Sequence, residues 1–191
     1  KVHGPKGVGA LLHRRGLALA PVLFGGPQER GRRPGSEAVA LIAGFGVAAE
    51  LAASEREQRQ RHTRALVDRL RAGLAELPGV TIHGDRERCT GTTVNAGFAG
   101  CDGLLLLINL DLAGFAVSAG AACASGSNEP SPVLLARGLT PAAARSALRI
   151  SVGKDTAADD VEALLAALPG LLTRVRGAAL GDADWRALEV S

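Results

Sequence analysis

Three residues of the chain combine a reactive side chain with a local sequence that could use it: Lys1, Cys123 and Arg149. Cys123 lies in the segment Ser118-Ala-Gly-Ala-Ala-Cys-Ala-Ser-Gly-Ser, whose side chains have almost no bulk. Such a loop can present a thiolate to a substrate, whereas a packing cysteine has large apolar neighbours. The alternative is that Cys123 is simply a small residue in a tight loop.

Lys1 begins the glycine-rich segment Lys-Val-His-Gly-Pro-Lys-Gly-Val-Gly. A lysine that is desolvated and close to other cationic groups can lose its proton and act as a nucleophile or a base. The alternatives are a phosphate-binding loop or a tight turn. A Walker loop is excluded because the Gly-Lys-[Ser/Thr] ending is missing.

Arg149 interrupts the apolar segment Ala-Leu-Arg-Ile-Ser-Val, which is typical of a strand. A guanidinium held in such a strand needs a partner, and its planar fork suits the bidentate capture of a carboxylate. The alternative is a structural ion pair with an acidic residue elsewhere in the fold.

The remaining thiols and imidazoles predict little chemistry. The three cysteines are widely spaced and lack a Cys-x-x-Cys pair, which predicts free thiols in a reducing, cytoplasmic compartment. We expect Cys101 to pack beside the leucines that follow it and Cys89 to be an exposed thiol in a polar loop. Trp185 is predicted to dock the C-terminus. The histidines lack metal-ligand spacing, so no metal site is expected and they are predicted to lie on the surface or in loops: His3, His13, His62 and His83.

The composition predicts a soluble globular protein. The chain has 191 residues, 47% hydrophobic residues and a formal net charge of +3. The basic residues between Glu55 and Arg71 alternate with acids, and there is no Tyr, so neither a basic block nor an aromatic platform for nucleic acid is present. The longest apolar run, Ala38 to Ala49, is shorter than the about 20 residues that a membrane span needs. Because the chain has no Met and begins at Lys1, we expect a fragment or a processed product.

The elements that must position these residues alternate between helices and strands, which predicts an α/β or α+β fold. Apolar residues at helical spacing predict a helix from Glu37 to Leu77, bent near Ser54 and N-capped by Ser36. Further helices are predicted over Gly103 to Leu112, Pro132 to Ala136, Pro141 to Ser146 and Ala157 to Arg176. Strands are predicted over Gly9 to Arg14, Val80 to His83, Thr92 to Ala96, Phe115 to Ser118 and Ala147 to Val152, with a mobile loop from Ala119 to Pro130 and a polar tail at the end.

Four motifs, in this order along the chain, resemble those of one enzyme family. They are Lys1-Val-His-Gly-Pro-Lys-Gly-Val-Gly-Ala-Leu, Gly25-Gly-Pro-Gln-Glu-Arg-Gly-Arg-Arg-Pro-Gly-Ser-Glu, Ala121-Ala-Cys-Ala-Ser-Gly-Ser-Asn-Glu-Pro-Ser-Pro-Val-Leu and Leu148-Arg-Ile-Ser-Val-Gly. The family is that of the cysteine desulfurases of the nitrogen-fixation and iron–sulfur housekeeping type, pyridoxal-phosphate enzymes of fold type I in the class-V aminotransferase superfamily. The similarity extends from Lys1 to about Arg176.

The resemblance implies a role for each candidate residue. Lys1 matches the lysine that holds pyridoxal phosphate as a Schiff base and removes the Cα proton. Cys123 matches the nucleophile that takes sulfur from L-cysteine as a persulfide, leaving L-alanine. Arg149 matches the arginine that binds the substrate carboxylate. Ser36 stands where the family has a Thr that reaches the cofactor phosphate of the neighbouring subunit, which implies a homodimer.

The resemblance also implies a domain organisation and partners. Residues 1–57 would be the end of the large cofactor-binding domain, residues 58–177 the small C-terminal α+β domain, and residues 178–191 a polar tail. The sulfur would pass to an acceptor or scaffold protein for iron–sulfur cluster assembly or thiolation. The cofactor ligands of the family's upstream half are absent, so we expect the chain alone to be inactive.

Smaller departures and other functions stay open. Pro27 stands where the family usually has a third Gly, Leu12 where Tyr is common, and Ala119 and Ala121 where serines flank the thiol; none removes a catalytic group. One alternative is a non-catalytic split or degenerate half, with Cys123 as a sulfur carrier that docks on a partner. Another is a related lyase that acts on selenocysteine.

Overall fold

The computed structural model describes residues 2–119 and 129–188, with residues 178–188 described by their backbone alone. Lys1, Cys123 and most of the loop predicted around Cys123 lie outside the described residues. The chain divides into two compact units, residues 1–58 and residues 59–191. The fold is of the mixed α/β type, with one antiparallel sheet among the described strands.

The first unit contains a short helical turn, α1 (Gln28–Gly31), and the helix α2 (Val39–Ser54). The segment that follows Lys1 packs along α2, because a Cβ at Gly4 would lie 3.3 Å from Ala48 Cβ and one at Gly44 would lie 2.7 Å from Pro5 Cγ. The two glycines therefore permit this close approach of segment and helix.

Two predictions for the first unit are wrong. Residues 9–14 are irregular, and Leu12 is 93% exposed, because this segment pairs with none of the described strands. Ser36 is not the N-cap, since α2 begins at Val39 with Ala38 at the cap position and without a side-chain cap. The Ser36 hydroxyl is exposed in the loop ahead of the helix.

The predicted long helix is interrupted at Glu55 and forms two helices, α2 and α3 (Arg56–Ala75), so the irregularity predicted near Ser54 lies at their junction. The α3 helix buries one apolar stripe, and its arginines pair with acids, as expected for a solvated face. Arg64 Nε lies 3.5 Å from Asp68 Oδ2, and Arg69 donates two hydrogen bonds of 2.6 Å to Glu162. The buried residues of the stripe are Thr63, Leu66, Val67, Leu70, Gly73 and Leu74.

The second unit is built on a four-stranded sheet with the order β1-β2-β4-β3, in which every neighbouring pair is antiparallel. Three strands lie where the sequence predicts them, and the predicted strand Phe115 to Ser118 is reduced to two residues. The strands are β1 (Val80–His83), β2 (Thr93–Phe98), β3 (Ser118–Ala119) and β4 (Ala147–Ser151).

The α4 helix (Gly103–Leu112) has the predicted bounds because its sequence carries its own start signal. Asp102 Oδ1 accepts hydrogen bonds of 2.8 and 3.0 Å from the backbone amides of Leu104 and Leu105, which satisfies two free donors of the first turn. The predicted short helices are also present, as α5 (Pro132–Ala136) and α6 (Pro141–Arg145).

The last helix, α7 (Ala158–Leu188), extends beyond the predicted end at Arg176. The residues predicted as a polar tail therefore continue the helix, because Ala178, Ala179 and Leu180 are strong helix formers. The side chain of Trp185 lies outside the described part, so its predicted docking role stays a prediction.

One face of the sheet packs against α3, α4 and α7 to form the core of the second unit. Arg176 connects α7 to the ends of two strands, since it donates hydrogen bonds of 3.0 Å to the carbonyl of Ala99 and 2.9 Å to that of Pro78. The largest side chains that are fully buried there are Phe98, Leu70, Leu74, Leu106, Leu110, Leu148, Leu168 and Leu172.

Gly103 is predicted to be intolerant of a side chain. A Cβ at this position would collide with the backbone carbonyl oxygen of Arg145, which cannot move independently of the fold. In the complete protein, Gly103→Ala should lower the free energy of unfolding by about 1–3 kcal/mol, read as a lower urea midpoint. Gly170→Ala is the matched control, because nothing lies within 4 Å of the added Cβ and alanine favours the helix by about 1 kcal/mol. Equal midpoints for the two variants would contradict the prediction.

Candidate functional site

Of the four predicted site residues, Arg149 and Ser36 are described and Lys1 and Cys123 are not. Ser36 belongs to the first unit and Arg149 to the second, and each is described within its own unit. The geometry that bears on function is therefore that around Arg149.

Arg149 lies at the centre of β4, on the sheet face opposite to the core. Its neighbours Leu148 and Ile150 are buried in the core, whereas Arg149 is half-buried on the other face. Within the described parts of the chain, its guanidinium makes no ion pair and no hydrogen bond, so the alternative of a structural ion pair finds no partner there. None of the described residues therefore competes with an anionic ligand for the guanidinium.

The strand register places Arg149 within a polar row that crosses the sheet. Asn95 of β2 lies directly opposite Arg149 on one side, and Ser118 of β3 lies opposite it on the other. His83 of β1 lies opposite Asn95, which completes the row His83–Asn95–Arg149–Ser118. Residues directly opposite each other share a face, with Cβ atoms about 4.5–5.5 Å apart.

Two members of this polar row hold a buried polar atom with no hydrogen-bond partner among the described residues: His83 Nε2 and Asn95 Oδ1. An unpartnered buried donor or acceptor costs about 1–3 kcal/mol, and sites of this kind are commonly functional. The spacing of apolar residues gives no sign of either residue. Only the strand register shows that they accompany Arg149.

The prediction that His83 is a surface or loop histidine is wrong, whereas His3, His13 and His62 are exposed as predicted. The imidazole lies over Gly97, where a Cβ would be 2.8 Å from Nε2, so the glycine provides the room. Burial, and secondarily the nearby Arg137 guanidinium, lowers the pKa of His83. His83 is therefore uncharged at neutral pH and does not repel Arg149.

A basic cavity of about 380 Å³ opens beside Asn95. Its lining includes the guanidinium groups of Arg71, Arg88 and Arg137, of which Arg88 is paired with Asp85 at 3.2 Å. Several positive charges in one cavity create a potential that attracts anions. The part of this face beside Asn95 is thus suited to an anion, although Arg149 itself does not line the cavity.

In the first unit, Ser36 lies just ahead of the amino-terminal end of α2. The free amides and the dipole at a helix N-terminus favour a phosphate group. Because Ser36 does not cap α2, its hydroxyl is available to donate to a phosphate oxygen. This part of the chain therefore fits a contact to a cofactor phosphate.

The two described cysteines are both free thiols, as predicted, but they differ in exposure. Burial raises the pKa of the Cys101 thiol, and Arg176 only partly offsets this effect. Cys89 is exposed and donates to the carbonyl of Arg86 at 3.1 Å.

We predict that iodoacetamide at pH 8 modifies Cys101 of the complete protein more slowly than Cys89, by about tenfold or more, because the thiolate is the reactive form and Cys101 is shielded. Peptide mapping against time measures both rates, and the rates should become equal in urea. Equal rates in the native protein would contradict the burial of Cys101.

Two other features are absent from the described residues. Their side chains include no group of three or more His, Cys, Asp or Glu residues placed to hold a metal ion. No helix within the same residues is long and apolar enough to cross a membrane.

Comparison with known proteins gives consistent matches. The sequence profile of the class-V aminotransferases matches residues 1–164. A cysteine desulfurase of Gluconacetobacter diazotrophicus is 44% identical over 177 residues, which are 92% of this chain and 44% of that protein. An IscS-like cysteine desulfurase of Mycobacterium tuberculosis is 43% identical over 186 residues, 96% of this chain and 47% of that protein. The chain thus spans less than half the length of these curated relatives.

Solved structures agree with the sequence matches. A NifS-like protein superimposes with a TM-score of 0.74 and 31% identity, covering 92% of this chain and 43% of that one. A NifS-like protein of Rickettsia africae gives a TM-score of 0.71 and 28% identity, covering 81% of this chain and 40% of that one. With a family profile that matches most of its length and two similar folds, the chain belongs to the class-V aminotransferase family.

Proposed function

We propose that the protein containing this chain is a pyridoxal-phosphate-dependent cysteine desulfurase that converts L-cysteine to L-alanine and retains the sulfur as a persulfide. The observation that carries the proposal is Arg149, a half-buried guanidinium without a described partner on a polar sheet face, in a chain whose curated relatives are named cysteine desulfurases. A half-buried guanidinium is stabilised by an anionic partner, and the planar carboxylate of an amino acid can pair with it through two hydrogen bonds.

Three of the chain's residues bind the substrate or the cofactor in this proposal. Arg149 binds the substrate carboxylate and so orients Cα and the thiol of cysteine. Lys1 holds the cofactor and removes the Cα proton, and Ser36 donates a hydrogen bond to the cofactor phosphate. When bound, pyridoxal phosphate supplies an electron sink that stabilises negative charge at Cα. The position of Ser36 ahead of α2 supports this assignment, since a phosphate is favoured there.

Cys123 performs the sulfur-transfer step. Its thiolate attacks the sulfur of the substrate, a sulfur–sulfur bond forms, and the bond between Cβ and sulfur breaks with its electron pair left on carbon. One proton then completes the methyl group of alanine, the proton that Lys1 removed is replaced at Cα, and the transferred sulfur stays on Cys123 as a persulfide. The small side chains around Cys123 support this role, because an attacking thiol must reach the substrate and then leave with its sulfur.

We also propose the domain assignment and the assembly. Residues 1–57 form the end of the large domain and residues 58–177 the small domain, and residues 178–191 extend beyond it, as far as Leu188 as the last turns of α7. The first unit exposes many apolar side chains, which supports coverage by the rest of the large domain and by a second subunit in a homodimer. The most exposed are Leu11, Leu12, Val22, Leu23, Phe24 and Val39.

The persulfide is proposed to pass to a sulfur acceptor or an iron–sulfur scaffold protein in the cytoplasm. The free thiols of Cys89 and Cys101 support a reducing compartment. Neither nucleic acid nor a membrane surface is a proposed partner.

The test is an assay of the complete, cofactor-loaded protein with L-cysteine, in which alanine and released sulfide are quantified. Equimolar alanine and sulfide in the presence of a thiol reductant support the proposal. Selenocysteine is also added in competition with L-cysteine. If the protein strongly prefers selenocysteine, it is a selenocysteine lyase. Persulfide on Cys123 without alanine formation would overturn the desulfurase assignment in favour of a sulfur carrier.

A further inference from the structure

We propose that Asn95 is a positioning residue for Arg149: when a carboxylate binds, the side-chain oxygen of Asn95, which is unpartnered in the structure, accepts a hydrogen bond from the guanidinium and fixes the orientation in which Arg149 holds the ligand. This inference rests on the proposed function of Arg149 and goes beyond it, because it assigns a role to a residue on a different strand.

The first argument is the register. Asn95 and Arg149 are Cα partners in the β2–β4 pair, so their side chains leave the same face at neighbouring points. Their Cβ atoms are then about 4.5–5.5 Å apart, a distance that a long arginine side chain easily bridges. Val94 and Ala96 on either side of Asn95 are fixed in the core, which holds the strand in this register.

The second argument is the chemistry of the two unpartnered groups. Asn95 Oδ1 is a buried acceptor without a donor among the described residues. The Arg149 guanidinium carries five N–H donors and no acceptor, and no described residue takes any of them. A bidentate carboxylate uses two of these donors, so others are free for Asn95. One hydrogen bond therefore satisfies both groups without competing with the ligand.

The other two members of the polar row carry no charge that would compete for the Arg149 guanidinium. His83, on the far side of Asn95, is uncharged because burial lowers its pKa, so it neither repels the guanidinium nor carries a charge that would draw Asn95 away. Ser118, on the other flank of Arg149, has a rotatable hydroxyl that imposes no fixed direction. Asn95 is thus the neighbour with a rigid, planar acceptor.

The test compares two probes bound to the complete, cofactor-loaded protein: 3-mercaptopropionate, which has a carboxylate, and cysteamine, which is cysteine without its carboxylate. Isothermal titration calorimetry gives the dissociation constant of each probe. Asn95→Ala should raise the dissociation constant of 3-mercaptopropionate roughly tenfold, as expected for the loss of one hydrogen bond to a charged group. The dissociation constant of cysteamine should not change. KM for L-cysteine should rise by a similar factor while kcat changes little.

Asn95→Asp is the second variant, because it keeps the shape of the side chain and protects the test against a folding defect. Its carboxylate would pair with Arg149 and compete with the ligand, so 3-mercaptopropionate should bind more weakly than in Asn95→Ala. Thr93→Ala is the matched control, since Thr93 lies on the same strand and face and is opposite Ser151 rather than Arg149. This control should leave both dissociation constants unchanged.

The outcomes separate the inference from the proposed function. One outcome is that Arg149→Lys weakens the binding of 3-mercaptopropionate, whereas neither Asn95 variant changes it. The positioning role of Asn95 is then overturned, and the role of Arg149 stands. If Asn95→Ala weakens both probes equally, Asn95 has only a structural role and the inference is wrong. If Arg149→Lys leaves carboxylate binding unchanged, the proposed function of Arg149 fails, and this inference fails with it.

Discussion

Replacement of Cys123 by serine in the complete, cofactor-loaded protein is expected to abolish the release of alanine from L-cysteine. The hydroxyl is a far weaker nucleophile than a thiolate and cannot store sulfur, so the rate should fall by about 10³-fold or more. Binding of the cofactor should be unchanged, because Cys123 contacts the substrate rather than the cofactor in the proposed mechanism. Alanine quantified against time, together with the absorbance of the bound cofactor, measures both effects.

Cys89→Ser is the matched control for that experiment. Cys89 is an exposed thiol in the loop between β1 and β2, and it has no role in the proposed chemistry. Its replacement should leave alanine formation within about twofold of the original rate, as for a surface substitution. Alanine release that survives in Cys123→Ser, or that disappears in Cys89→Ser, would show that the nucleophile is wrongly assigned.

Replacement of Arg149 by alanine is expected to raise KM for L-cysteine by about 10²-fold or more, because loss of one partner of a desolvated, hydrogen-bonded charge pair costs about 2–5 kcal/mol. Arg149→Lys keeps the charge but loses the bidentate fork. Its KM for L-cysteine should therefore lie between that of Arg149→Ala and that of the original protein. Steady-state kinetics with L-cysteine give KM and kcat for each variant.

Arg174→Ala controls for the loss of a positive charge as such. Arg174 is exposed on α7, away from the polar row, and its replacement should not change KM. A KM that is unchanged in Arg149→Ala would remove the carboxylate-binding role, whatever the effect on kcat.

Elements that contain their own start and stop signals could be predicted from the sequence. The bounds of α4 follow from the Asp102 cap, an apolar run and the turn at Gly114, all within one short segment. Strand β4 follows from an apolar pattern of strand length. Both are local properties, and the structure reproduces them.

Elements that depend on distant partners could not be predicted in this way. Residues 9–14 have the composition of a buried strand, but a strand forms only where another strand takes its backbone hydrogen bonds. The end of α7 was placed too early because its polar residues were interpreted as a tail, although Ala178, Ala179 and Leu180 favour a helix.

The same distinction applies to the candidate site. Arg149 could be predicted because a charge within an apolar strand is unusual in any fold. Asn95 and His83 could not, because their significance comes from the register between strands, which places them in line with Arg149. A polar residue in the middle of a predicted interior strand is the one signal that could have identified Asn95.

The central claim, that Cys123 receives sulfur from L-cysteine, is tested most directly by the mass of one peptide. The complete protein is treated with L-cysteine, its thiols are trapped by alkylation, and it is cleaved after acidic residues. Cleavage after Asp111 and Asp155 releases residues 112–155, in which Cys123 is the only cysteine, because the bond after Glu129 precedes Pro130 and resists cleavage. We predict that this peptide gains the mass of one sulfur atom, whereas a peptide of unchanged mass, with alanine still formed, would contradict the sulfur-transfer role of Cys123.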